Sequence, residues 1–155
     1  MKKNIINLCL VGSLLFFGVI SCKKSNDAVG KSRTELLTQA AWKLVKDETK
    51  TGTGPWIDQT PFYSPCEKDD NFVIKLNGTY ELNEGATKCS PTDPQIYETG
   101  AWVFLNNEAQ IKTTSTGSSS SDTVSIDQLD ENTLITSSSE VISGVTYYYR
   151  TTLGH

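Results

Sequence analysis

Residues 71–83 read NFVIKLNGTYELN, two alternating apolar–polar runs that meet at Asn77-Gly78. An Asn-Gly between alternating runs is a strong local signal for a β-hairpin. The faces select its register. A two-residue turn on Asn77-Gly78 pairs Ile74 with Glu81 and mixes apolar with charged side chains on one face. A three-residue loop, Leu76-Asn77-Gly78, with Gly78 left-handed as a bulge, pairs Lys75 with Thr79, Ile74 with Tyr80 and Phe72 with Leu82. Phe72, Ile74, Tyr80 and Leu82 then share one face, and Val73, Lys75, Thr79 and Glu81 the other. A one-residue slip reverses every side chain, so the clean pattern predicts the second register.

The same grammar recurs along the chain. TGAWVFLNNEAQIKTTST, from Thr99, predicts a hairpin on Asn106-Asn107. A type I′ turn there pairs Leu105 with Glu108, Phe104 with Ala109 and Trp102 with Ile111, and faces Trp102, Phe104, Ala109 and Ile111 to the core. AWKLVKDETK predicts a first strand with Trp42 and Leu44, continued by Lys46, on one side and Lys43, Val45 and Asp47 on the other. DTVSIDQL, NTLITSSSEVI and VTYYYRTTL complete the set, with GSSSS as a flexible turn. Ahead of them SRTELLTQA predicts a short helix capped by Ser32, with Glu35 closing a capping box. TGTGPWIDQTPFYSP reads as a long loop. The 122 residues from 34 to 155 suit one domain. Seven or eight antiparallel strands in sequence order predict an all-β fold, an up-and-down barrel with a short N-terminal helix, since closure removes sheet edges.

The N-terminus carries an address. Lys2 and Lys3 precede NIINLCLVGSLLFFGVI, a run of signal-peptide length that is short for a stable membrane span. It ends in Val19-Ile20-Ser21-Cys22, which resembles the lipobox of bacterial lipoproteins. The resemblance implies a signal peptide at residues 1–21, cleavage before Cys22, and acylation of its sulfur and new amino group. Several acyl chains, at about 0.8 kcal/mol per buried CH₂, make a near-permanent anchor. KKSNDAVGKSR extends the anchored residue as a polar tether, 22–33, with a reach of about 20 Å. Lys23 stands where an inner-membrane retention signal has Asp, so the expected location is the cell envelope, on the outer membrane.

Location decides the chemistry of Cys66 and Cys89. Outside the cytoplasm disulfides persist, and with Cys9 removed and Cys22 acylated only these two thiols remain to pair. In the predicted register residues whose numbers sum to 154 face each other, and 66 and 89 sum to 155, so the bridge falls at the hairpin foot. No metal is expected, because zinc takes four N or S ligands and His155 is the one histidine. No Cys-x-x-Cys supports redox work. The mature chain has 12 basic and 18 acidic residues, a net charge of −6, which excludes a nucleic-acid partner.

A short helix, a first strand opening on Trp42, one long first loop and about eight meandering strands resemble the lipocalin superfamily, and more narrowly the lipocalin-like domains of small bacterial lipoproteins. The matching residues are Trp42, Cys66 and Cys89 around Phe72 to Tyr80, and Thr99-Gly100-Ala101-Trp102. Arg150 stands where the lipocalin pattern sets a late basic residue over the first tryptophan, which implies a cation–π contact with Trp42.

An eight-stranded barrel is filled by side chains or holds one small ligand. The inward set is Trp42, Leu44, Phe72, Ile74, Tyr80, Leu82, Trp102, Phe104, Ile111, Val124, Ile126, Tyr147 and Tyr149. Trp56, Phe62 and Tyr63 on the long loop are costly to expose and are lid candidates. The expected function is binding of a small apolar or amphipathic ligand by Trp56, Phe62, Tyr63, Phe72, Tyr80, Trp102, Phe104, Tyr147 and Tyr149, in a monomer without cofactor. The alternative is a filled barrel that engages a partner through loops or its outer face. With no nucleophile elbow and no free thiol, no enzyme is expected. Glu67, Asp69 and Asp70 are a solvated acidic loop or a weak Ca²⁺ site. Asp122-Thr123-Val124 and Asn77 are weak glycosylation matches. Cells fed a palmitate analogue are expected to label the protein, and a Cys22→Ser variant to lose the label.

Overall fold

The computed structural model describes residues 30–118 and 120–155. The signal segment, Cys22 and the tether through Val29 lie outside the described residues. The elements are α1 (Arg33–Thr38), β1 (Lys43–Thr51), β2 (Ile57–Asp58), a 3₁₀ turn (Thr60–Phe62), α2 (Pro65–Lys68), β3 (Asn71–Ile74), β4 (Thr79–Asn83), β5 (Ile96–Leu105), β6 (Gln110–Ser115), β7 (Ser121–Leu129), β8 (Thr133–Ile142) and β9 (Val145–Gly154). The fold is all-β, a single antiparallel sheet in the order β2-β1-β9-β8-β7-β6-β5-β4-β3. From β3 to β9 each strand pairs with the next in sequence, as the turn spacing predicts, and β9 then returns to β1. The two-residue β2 and the 3₁₀ turn lie in the segment expected as loop, and α2 begins at its last residue, Pro65. No continuous ladder closes the sheet. Its flanks meet at one point, where Trp42 exchanges both backbone hydrogen bonds with Phe72 of β3, at 2.8 and 2.9 Å.

Local chemistry accounts for the elements. Ser32 caps α1 as expected. Its hydroxyl accepts from Glu35 N at 3.2 Å, and Glu35 Oε2 accepts from Ser32 N at 2.7 Å. The β3–β4 hairpin takes the predicted register, with Ile74 opposite Tyr80 and Phe72 opposite Leu82, and Gly78 sits at φ +82°. The β5–β6 hairpin differs from expectation. Phe104 pairs with Ile111 and Leu105 with Gln110, so the turn holds four residues, with Asn106, Asn107 and Glu108 all at positive φ. The shift is two residues. It preserves the faces, because side chains alternate with period two, and it moves Ala109 into the exposed turn.

Three bulges change faces that simple alternation would set. In β1, Leu44 pairs with Leu153 and Lys46 with Thr152, leaving Val45 unpaired. Beyond the bulge Asp47 shares the inner face with Leu44, and Lys46 turns outward, against the expected alternation. In β5, Leu82 pairs with Glu98 and Asn83 with Ile96, and Tyr97 is the extra residue. In β7, Ile126 pairs with Thr136 and Gln128 with Ile135, so Asp127 is the extra residue and Leu129 turns to the core.

The core consists of Leu37, Trp42, Ile74, Tyr80, Trp102, Ile111 and Leu134, with Phe72, Leu82, Phe104, Val124, Ile126, Leu129 and Leu153 packed against it. Gly100 is required by the close approach of Tyr80. A Cβ there would lie 2.5 Å from the Tyr80 ring and 2.3 Å from Thr114 O. Cys66 and Cys89 are bonded, with Cα atoms 5.2 Å apart. Replacing both by alanine is expected to lower the urea unfolding free energy by about 3 kcal/mol, the closure entropy of such a loop.

Candidate functional site

Along several strands the inward positions change character. On β1 they pass from Trp42 and Leu44 to Asp47, on β5 from Trp102 through Gly100 to Glu98, on β6 from Ile111 to Thr113, and on β7 from Val124 to Asp122. Trp42, Trp102 and Ile111 of the apolar stretch belong to the buried core with Leu37 of α1. The polar stretch lines an open cavity of about 620 Å³. Trp42, Leu44, Phe72, Leu82 and Leu153 form its apolar wall, and Asp47, Glu67, Asp70, Glu98, Asp122, Tyr63 and Tyr97 gather in its polar part.

Tyrosines organise the carboxylates. Tyr63 donates to Asp47 Oδ2 at 2.8 Å, Tyr97 to Asp70 Oδ2 at 2.9 Å, and Tyr80 to Glu98 Oε1, which also accepts from Ser115 at 2.7 Å. Thr151 donates to Asp47 Oδ1 at 3.2 Å. Asp70 Oδ1 is buried without a hydrogen-bond partner. Burial, reinforced by the Asp47 carboxylate, pushes the Tyr63 hydroxyl from 10.0 up to about 12. Burial first, then Asp70, raises Tyr97, and burial with Glu98 raises Tyr80. Among the described residues none of the five cavity carboxylates shares an ion pair.

Of the nine residues expected to contact ligand, Tyr63, Phe72 and Tyr80 line this cavity. Trp102 and Phe104 pack edge-to-face in the core, 5.2 Å between centroids, and Trp102 Nε1 donates to Lys75 O. Phe62 is 81% exposed. Trp56 lies over the opposite face of the sheet, with Arg150 4.4 Å and Lys50 5.0 Å from its ring centre. The expected Arg150–Trp42 contact is thereby replaced. Arg150 alternates with Thr151 and Leu153 and so points outward, where it bonds the buried Glu48 at 2.8 and 2.9 Å. His155 stacks on Trp42 instead, at 4.0 Å. Lys46 donates to Glu48 and, with Arg150, holds its carboxyl below the ordinary range against the opposing effect of burial. Tyr149 joins Trp56 at a second, polar hollow of about 430 Å³ and donates to Glu140, while Tyr147 sits opposite Glu140 on β9.

The acidic residues beside the disulfide have separate tasks. Glu67 completes a capping box with Ser64 on α2. Asp69 accepts from Ala86 N, Thr87 N and the Thr87 hydroxyl at 2.9–3.0 Å, fixing the segment that leads to Cys89. Asp70 faces Tyr97. Thr123 borders the outer hollow, and Asn77 Oδ1 accepts from Thr79 in the turn.

No family model matches the chain, and no curated protein matches it.

Glu98 and Asp122 were open to sequence reading, since each continues an inward alternation of apolar residues. Asp47 and Tyr97 were not, because bulges re-aim them. An unfolded tyrosine ionises near 10.0 and folded Tyr63 near 12, so its contribution to stability is complete below pH 10 and is lost as pH rises towards 12. A spectrophotometric phenolate titration is expected to show this late ionisation. Asp47→Asn is expected to return it part of the way, burial being the larger cause.

Proposed function

We propose that this protein is a lipid-anchored, non-enzymatic binding module that holds one small amphipathic molecule inside a lipocalin-like barrel. The observation that carries the reading is the cavity of about 620 Å³ with an apolar wall and a polar part, within the ordinary size range of small-molecule sites. The reciprocal Trp42–Phe72 bridge supports barrel closure, because it brings the two flanks of the sheet into hydrogen-bonding contact. Tyr63 is the lid residue of this reading. It comes from the long first loop and is tied to the β1 wall through Asp47.

The signal segment and the lipobox-like sequence ending in Cys22 support an anchor in the cell envelope, on the outer membrane, with the domain working as a monomer near the bilayer. No helix among the described residues is long and apolar enough to cross a membrane. The alternative reading, a partner-binding surface, has its own support at the β8–β9 tip, where Val141, Ile142 and Val145 are 68%, 50% and 41% exposed.

A neutral fluorescent probe, N-phenylnaphthylamine, tests the cavity in the Cys22→Ser chain. Saturable binding at one probe per chain is expected. Leu153→Trp, which fills the apolar wall, is expected to abolish it while native near-ultraviolet dichroism persists. Absence of saturable binding by the unfilled protein rejects the cavity reading and leaves the surface reading.

A further inference from the structure

We infer that the ligand is an organic cation, an amine or quaternary ammonium group on an apolar body. The inference rests on the cavity-binding reading and specifies its chemistry. Five carboxylates, from Asp47, Glu67, Asp70, Glu98 and Asp122, border the cavity, and no lysine or arginine does. Three of them take neutral tyrosine hydroxyls as partners, at Asp47, Asp70 and Glu98. A phenol satisfies one oxygen of a carboxylate and leaves its charge uncompensated. Asp70 shows this directly, since Oδ1 is buried with no partner while Oδ2 holds Tyr97. Carboxylates gathered around one open cavity repel one another and favour a positive guest.

The aromatic residues select the same guest. Tyr63, Tyr80, Tyr97 and Phe72 border the space that the carboxylates face. Aromatic faces attract ammonium groups through the ring quadrupole, and quaternary ammonium recognition by aromatic cages has this composition. The wall formed by Phe72, Leu82 and Leu153 suits the apolar body. An anionic amphiphile of the same length would meet the carboxylates head-on.

The β1 bulge creates this charge. An uninterrupted β1 would set Lys46 opposite Thr151 on the inner face. With Val45 bulged, Asp47 stands opposite Thr151, and Lys46 lies outside against Glu48. One unpaired residue exchanges a cation for an anion in the cavity wall.

The test uses the full chain bearing Cys22→Ser and three probes of equal chain length: decyltrimethylammonium, decanol and decanoate. Isothermal titration calorimetry at low ionic strength is expected to rank them in that order. The cation should bind at least about tenfold more tightly than the alcohol, the effect of one modest ionic contact. Added salt should weaken the cation and leave the alcohol unchanged. Asp47→Asn combined with Glu98→Gln should lower the cation's affinity by about tenfold or more and spare the alcohol, whose unchanged binding reports that the variant is folded. Equal affinity for all three probes, or preference for decanoate, overturns the charge selection and leaves the cavity reading standing. Failure of all three to bind overturns the cavity reading itself.

Discussion

Trp42 ties the structure together. It is fully buried, and each of its polar groups is used. Its backbone exchanges two hydrogen bonds with Phe72, its indole Nε1 donates to Leu37 O at 2.8 Å, and its ring lies against His155. One residue therefore joins α1, the start of β1, β3 and the segment beyond β9. Orphaning a buried backbone or indole donor costs about 1–3 kcal/mol, so a smaller residue here loses both packing and satisfied polar groups. The cavity depends on the same junction, because Trp42 and Phe72 both border it.

Around that junction the interior divides into a packed part and an open one. Leu37 and Leu134 are fully buried, and Ile74, Trp102 and Ile111 are buried in the same cluster. Further along the same strands the inward side chains are Asp, Glu, Thr and Tyr. Water or a ligand is needed to satisfy such groups, so this half does not collapse into a dry core. The outer face treats charge differently. Glu48 is nearly as buried as the core, yet it is paired with both Lys46 and Arg150, and Trp56 covers Arg150. The contrast between a neutralised carboxylate outside and uncompensated ones inside marks the inner group as suited to an external partner.

Much of this was legible in the chain. The β3–β4 register, the capping box on α1, the meander and the place of the disulfide all follow from local rules: period-two alternation, turn chemistry and compartment. The β5–β6 turn is two residues longer than its chemistry suggests, and Ala109 leaves the core for the turn, yet Trp102, Phe104 and Ile111 keep their core positions because a shift of two keeps each side chain on its face. The three aromatic residues of the first loop illustrate the limit. A tryptophan, a phenylalanine and a tyrosine within eight positions look equivalent in sequence, but Trp56 covers the outer face, Phe62 is exposed and Tyr63 enters the cavity. Their separation follows from β2 and the 3₁₀ turn, which form only against β1.

The sequence by itself determined the class of the fold, the meander from β3 to β9 and the staple at the foot of its first hairpin, because alternation and turn residues couple neighbouring strands and residues 34–155 hold only two cysteines. Simple alternation continued along β5 and β7 also leads to Glu98 and Asp122 at inward positions, although neither was among the expected site residues. Only the tertiary structure decided that Asp47 and not Lys46 faces inward, that Tyr97 reaches Asp70, and that Arg150 lies over Trp56. Each of these turns on a bulge or on strand pairing between distant segments. The local sequence around Val45 carries no sign of the extra residue. The bulge exists because Leu44 and Asp47 must both meet β9, with Leu153 and Thr151 as partners, and that demand comes from residues about a hundred positions away.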